Sequence, residues 1–311
     1  MNNAGVDLTK LKRYSLHERM SKVHTDDAAR IVPAGGSIAD LFASFPKTLK
    51  AKDLVTLIDA VVSAHRTKRG IILGMGAHVI KCGLSPLVNN LIARGVITHL
   101  VVNGACAVHD FELALAGNTS EDVGPALNDG TFGMAKETGT MINEAVKKAA
   151  NGFGDAIGDM IMNGDFPHRD MSIFCTARNH GVPVSVTVAI GTDIVHQHPE
   201  ADGAAIGRAS LHDFRKFTDA LPTLHDGGVF ITFGSAVLIP EVFLKALTVA
   251  RNIAGPITGF TTAVFDMNMQ YRESVNIVSR PTAGSGKGYY FTGHHEIMLP
   301  LLHAGIMEKL G

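Results

Sequence analysis

The chain has 311 residues, 46% of them apolar, with 28 Lys and Arg against 29 Asp and Glu and a net charge of −1. This balance gives no electrostatic case for a nucleic-acid or acidic-membrane partner, while the apolar fraction is enough for a sizeable core. Three cysteines without metal-type spacing, no apolar run of the roughly 18 to 20 residues that span a bilayer, and no signal-like apolar segment point to a reducing, cytoplasmic setting.

In chain order, residues 1–36 read as a polar arm ending in Gly35-Gly36, of the kind that packs on a neighbouring subunit. Residues 37–45 and 51–65 have helical apolar spacing. Residues 71–73 form an apolar strand that runs into Gly74, Gly76 and His78, then Lys81-Cys82-Gly83. Residues 100–102 form a second, running into Asn103-Gly104-Ala105. A loop covers 118–133, and helices follow at 134–150, 153–162 and 170–179. Residues 182–190 are β-branched, so they read as a buried strand, ended by Gly191-Thr192-Asp193. Helix 204–221, strand 228–233 and helix 239–253 come next, then strands at 260–265, 275–278 and 288–291 and a last helix at 295–310. No fixed-period repeat and no linker divides this stretch. Residues 37–311 are therefore expected to form a single α/β domain, Rossmann-like, with a mostly parallel sheet and helices on both faces.

In such a sheet, ligands bind outside the carboxyl ends of the strands. Lys81, just past a glycine-rich turn, reads as an imine-forming nucleophile if partly desolvated, or as an exposed lysine that holds a phosphate. His109 next to Asp110 is either a proton relay or a local hydrogen-bonded pair. Asp193, closing a strand, is placed to take a ribose hydroxyl or a cation. His196 and His198 with Asp202 allow a metal reading, although His-x-His is a weak signal. Gly284-Ser285-Gly286-Lys287-Gly288 fails the phosphate-loop template, because Pro281 stands at the first glycine and a strand follows instead of a helix. It reads as a flexible loop carrying Lys287. His294-His295-Glu296 opens the last helix and reads as capping and hydrogen-bonding residues in preference to metal ligands; the helix start could still face an anionic ligand.

The order of these turns resembles the deoxyhypusine synthase family over about three quarters of the chain, from Gly74 onward. Lys81-Cys82-Gly83 stands at the family's first Ser/Asn-rich turn, and Val102-Asn103-Gly104-Ala105-Cys106 stands at its Thr-Thr-Ala-Gly-Gly. Val108-His109-Asp110 stands at its acidic triplet, and Thr192-Asp193 at its Thr-Asp-Gly-Ser. Thr261-Thr262-Ala263-Val264-Phe265-Asp266 is similar to its Asn-Thr-Ala-x-x-Phe-Asp strand. The resemblance implies an NAD-using enzyme, a homotetramer with sites between subunits, and a small amine substrate. By it, Gly76, His78, Cys82, Gly83, Asn103, Gly104, Ala105 and Asp193 hold NAD. Asp110, Asp266 and His294 hold the substrate, His109 moves protons, and Lys287 or Lys81 receives carbon; no metal is assigned. Trp is absent, and with it the aromatic platform the family uses for its polyamine. The expected activity is therefore hydride abstraction, imine formation and group transfer on a small amine or amino-acid-like substrate, not necessarily deoxyhypusine synthesis. Two alternatives stay open: a metal-dependent hydrolase or lyase using His196, His198 and Asp202, and a non-catalytic nucleotide-binding protein.

Overall fold

Six apolar runs of four to six residues become the strands of one sheet: β1 Ile71–Met75, β2 His99–Asn103, β3 Val184–Thr187, β4 Val229–Phe233, β5 Thr261–Asp266 and β6 Lys287–Thr292. The computed structural model describes residues 5–311. Every neighbouring pair is parallel, in the order β3-β2-β1-β4-β5-β6. That is the order of a doubly wound dinucleotide fold, with its reversal point between β1 and β4.

The helices are α1 Ile38–Ser44, α2 Leu49–Arg66, α3 His78–Lys81, α4 Ser85–Ala93, α5 Gly104–Ala116, α6 Val123–Asp129, α7 Lys136–Lys147, α8 Phe153–Asn163, α9 Ile173–Asn179, α10 Gly203–Ala220, α11 Leu238–Ala254, α12 Tyr271–Glu273 and α13 His295–Leu310. No helix among the described residues is long and apolar enough to cross a membrane. Alternate strand residues go to opposite faces. Leu73, Val102, Ile231 and Phe265 join a core roofed by α2, α4, α5, α8, α9 and α13. Ile72, Val101, Phe230 and Val264 join a second core under α10 and α11. With both faces covered, β1, β2 and β4 read as near-continuous apolar runs instead of alternating ones.

Three expectations change. Residues 182–190 were expected to be strand throughout, but only Val184–Thr187 pair with β2. β2 ends at Asn103, the partner of Thr187, where the chain turns into α5, so beyond Thr187 the edge strand has no neighbour to pair with. Residues 275–278 are not a strand but part of a π-helical turn, Ser274–Ser279. β5 and β6 are parallel neighbours, so the chain between them must return to the other end of the sheet, and a four-residue apolar run does not by itself distinguish strand from helix. The expected loop 118–133 contains α6. The arm read at 1–36 begins in residues 1–4, which lie outside the described residues. Its described part makes short 3-10 turns and leaves Val6, Met20 and Ile31 exposed.

Two features brace the sheet. The outer border of β3 is covered by side chains of α10: Asp213 Oδ2 accepts from Val186 N at 2.9 Å, and Ser210 Oγ accepts from Val188 N at 3.2 Å. At the carboxyl end of the other half, Phe233, Phe265 and Phe291 lie in register on β4, β5 and β6 and stack at 4.4 and 4.7 Å between ring centroids. Removing the middle ring leaves a cavity between two others. Phe265→Ala is expected to lower unfolding stability by about 3–5 kcal/mol, read from denaturant midpoints at unchanged slope.

Candidate functional site

The site begins where β2 ends. Asn103 caps α5, its Oδ1 accepting from Cys106 N at 3.2 Å, and the first helical residue is Gly104. Directly over Gly104 lies the carboxylate of Asp193. A Cβ on residue 104 would fall 2.0 Å from Asp193 Oδ2, so only glycine permits this approach. Asp193 is delivered by the turn after β3, which His196 holds: its Nδ1 accepts from Gly191 N at 3.1 Å and Asp193 N at 3.4 Å. Burial pushes the Asp193 carboxyl up to about 6, partly offset by a hydrogen bond from the Ala105 amide.

Beside this contact opens a cavity of about 590 Å³, lined by α5, the loop after it, the start of α7, Lys81 and Asp193. The volume falls in the usual range for small-molecule sites. Its charged lining is four carboxylates, Glu112, Glu121, Glu137 and Asp193, against Lys81. His109 projects into it one turn from Glu112. His109 Nδ1 lies 2.7 Å from Thr119 Oγ1, and the Thr119 hydroxyl donates to one oxygen of Glu112. The other Glu112 oxygen accepts from Thr138 Oγ1 at 3.0 Å. Because the Thr119 proton is committed to Glu112, the hydroxyl can only accept from His109. That fixes the proton on Nδ1 and leaves the Nε2 lone pair available. Burial holds His109 below the ordinary histidine value, with Glu112 opposing and Lys81 assisting, so the ring is neutral at pH 7.

A second cluster occupies the rim between β1 and β6. His78 opens α3 and Cys82 ends it; Cys82 Sγ lies 3.3 Å from His78 Nε2 and 3.8 Å from Glu296 Oε2. Burial, then the Glu296 carboxylate, push the Cys82 thiol up, so it is not a thiolate at neutral pH. His294 Nδ1 stands 3.9 Å from the other Glu296 oxygen. His295 is buried, with Nε2 3.2 Å from Phe265 O. Asp266 closes β5, where its Oδ1 accepts from Asn268 N at 3.0 Å.

The expected site residues are thus divided. Lys81, Ala105, His109 and Asp193 share the cavity, with Gly104 beneath Asp193 and Asn103 capping α5 next to it. His78, Cys82 and His294 gather around Glu296, with Asp266 on the neighbouring strand. Gly76 meets the loop after β4, where a Cβ would lie 2.1 Å from Gly234 O, and Gly83 is exposed in the left-handed region beyond α3. Asp110 points away from the cavity: it is buried and accepts from Ile173 N at 2.7 Å and from Ser172 Oγ, capping α9. Lys287 opens β6, opposite Thr261, at the other end of the sheet. Lys81 is exposed, not desolvated as an imine-forming lysine would be. The three groups of the metal alternative do not converge. His196 holds the Asp193 turn, His198 Nε2 is 2.8 Å from Gly133 O, and Asp202 caps α10. Sequence reasoning missed Glu112 and Thr119, and it read Glu296 only as part of the His294-His295-Glu296 helix start. Glu112 carried a signal, since it falls three residues after His109 on one helix face.

No protein-family model matches the chain, and no curated protein matches it in sequence. Solved structures do match in fold. A LOR/SDH-type protein of Methanococcus maripaludis S2 superposes with a TM-score of 0.56 at 15% identity, over 85% of this chain and 70% of that one. AgrE, in its ternary complex with ornithine and NAD+, gives 0.59 at 12% identity, over 86% of this chain but only 34% of AgrE. A deoxyhypusine synthase-like protein of Entamoeba histolytica gives 0.52 at 9% identity, over 88% and 94%. These likenesses establish the Rossmann-like fold.

Asp193 makes stability depend on pH. Its folded value of about 6 lies above the unfolded 3.8, so the folded state binds the proton more tightly. Its contribution is complete below the unfolded value and is lost as pH rises through about 6. Asp110 and Glu273 are raised in the same sense, so the Asp193 share is the difference between wild type and variant. Asp193→Asn is expected to gain on wild type, by at most about 3 kcal/mol, between about pH 4 and pH 7 in urea unfolding.

Proposed function

We propose that the protein is an NAD-dependent enzyme acting on a small cationic amine or amino acid, with the substrate in the acid-lined cavity and the cofactor at the adjoining rim. What carries the reading is the cavity itself. Four carboxylates and one lysine line it, and a histidine held neutral, with one nitrogen available, faces it. The strand order and the ornithine and NAD+ bound by AgrE support the same assignment.

The fit to a dinucleotide rests on Asp193. The first-turn amides of α5 are already engaged, Ala105 by Asp193 and Cys106 by Asn103, so that helix end does not offer them to a pyrophosphate. A buried carboxylate in the turn that follows the third strand is instead the acceptor that ribose hydroxyls need, and Gly104 keeps the backbone bare beneath it. NAD, when bound, supplies a two-electron acceptor for hydride from the carbon that bears the amine.

The chain's own residues do the rest. Glu121 and Glu137 hold the substrate cation, and Lys81, the one cation in the lining, holds a substrate carboxylate. His109 Nε2 takes the proton from the substrate ammonium, which frees the nitrogen lone pair that drives hydride departure. Thr119 and Glu112 hold the ring in that tautomer and stabilise the imidazolium it becomes. Asp110 and Lys287 have no part in the scheme: one caps a helix and the other lies at the far end of the sheet.

Calorimetry or thermal unfolding with NAD+ tests the cofactor. At a hundredfold excess over Kd it should add about 2.7 kcal/mol of stability, and Asp193→Asn should abolish the gain. With ornithine or a related diamino acid, NADH should form. His109→Gln should cut kcat by about 100-fold or more while NAD+ affinity stays unchanged. No stabilisation by NAD+ at millimolar concentration would remove the reading.

A further inference from the structure

The cluster on the β1 side of the rim has no task in that scheme. Among the described residues, His78, Cys82 and Glu296 are the one trio of His, Cys and acidic side chains whose donor atoms all lie within 4.8 Å of one another. We propose that they form a three-ligand site for a divalent transition metal of the zinc type, at the carboxyl rim of the sheet beside α13.

The donor spacing carries the argument. Zinc binds sulfur at about 2.3 Å and imidazole nitrogen or carboxylate oxygen at about 2.0–2.2 Å, which at tetrahedral angles separates S from N or O by about 3.6 Å. Here sulfur lies 3.3 Å from nitrogen and 3.8 Å from oxygen. Both distances to sulfur are within a few tenths of an ångström of that value, and all three donor atoms lie within 4.8 Å of one another, so they face a common point. A thiolate, an imidazole and a carboxylate together suit a borderline-soft ion such as Zn2+.

The scaffold is set before the ion arrives. His78 and Cys82 are four residues apart on one helical turn, closed by Cys82 N to His78 O at 2.9 Å, so their side chains share a face. The His78 ring is backed edge-on by buried His295 at 5.4 Å, and His295 stands edge-on to Phe233 at 5.7 Å, at the head of the stacked phenylalanines. Rigid support of this kind raises metal affinity. The arrangement does not make a nucleophilic triad. In a triad the carboxylate orients the imidazole from its far side, whereas here Glu296 approaches the sulfur.

Three protein ligands leave a fourth position, which is the pattern of a catalytic site and not of a closed structural one. Glu296 is exposed, so that position is open to water or to an oxygen of a substrate. On coordination the thiol proton goes to solvent, one per ion. The proposal does not rest on the NAD reading, because it is tested with metal alone and without cofactor or substrate.

The test uses the full chain, stripped with chelator and titrated with Zn2+ against a chromophoric competitor, with Co2+ as a spectroscopic probe. One tight Zn2+ per chain is expected, and the Co2+ form should show a thiolate-to-metal charge-transfer band with the intense visible bands of a four-coordinate ion. Zn2+ should also protect Cys82, the one cysteine that is not fully buried, from a thiol reagent. Cys82→Ser should abolish the charge-transfer band, and both it and Glu296→Gln should weaken Zn2+ binding by about 100-fold or more. Both substitutions are near-isosteric and at accessible positions, and circular dichroism confirms that the variants are folded. Zn2+ affinity equal in wild type and the two variants, or a Co2+ form without a thiolate band, overturns the proposal.

Discussion

A carboxylate pressed onto a bare helix end organises one half of this molecule. Asp193 lies where a Cβ of residue 104 would be, and burial there costs it part of its acidity. The contact ties the end of β2, through Asn103 and α5, to the turn that leaves β3. The wall of the cavity is therefore fixed by two strand ends at once. Filling position 104 with even a methyl group would drive the carboxylate off the helix and open the turn that His196 holds.

The other half of the rim is organised by aromatic packing. Phe233, Phe265 and Phe291 come into line because three parallel strands pair without slippage, and a one-residue slip would send every ring to the opposite face. Their stack places His295, and His295 backs His78. The two clusters are thus produced by one sheet through different means, electrostatic at β2 and β3, dispersive at β4 to β6. Between them the loops after β1 and β4 meet at Gly76 and Gly234 too closely for a side chain. The large cavity opens beside β2 and β3, away from that contact.

Much of the frame was legible in the sequence because strands covered on both faces are short unbroken apolar runs, and the residues that end them are polar or glycine. Asn103 was recognisable as a strand-end group for that reason, while Asp193 lies in the turn beyond a strand that stops earlier than its β-branched run suggests. Direction and angle were harder to read. The glycines around Lys287 resemble a turn after a strand but precede one, and that order puts the lysine at the opposite end of the sheet. Asp110 is one residue from His109, about 100° around the helix, so the neighbour in sequence faces α9 while Glu112 faces the cavity. Cys82 and Glu296 are 214 residues apart, and only the return of α13 across the sheet brings them together. Residues 275–278 are as apolar as a strand, and the parallel pairing of β5 with β6 is what rules that out.

The covering of β3 by α10 has an effect outside the molecule. The amides that an open sheet margin would present to another polypeptide are bonded here to Asp213 and Ser210. A foreign ribbon arriving on that flank finds these two donors already taken, so two side chains of the protein's own helix work against growth of the sheet from that side.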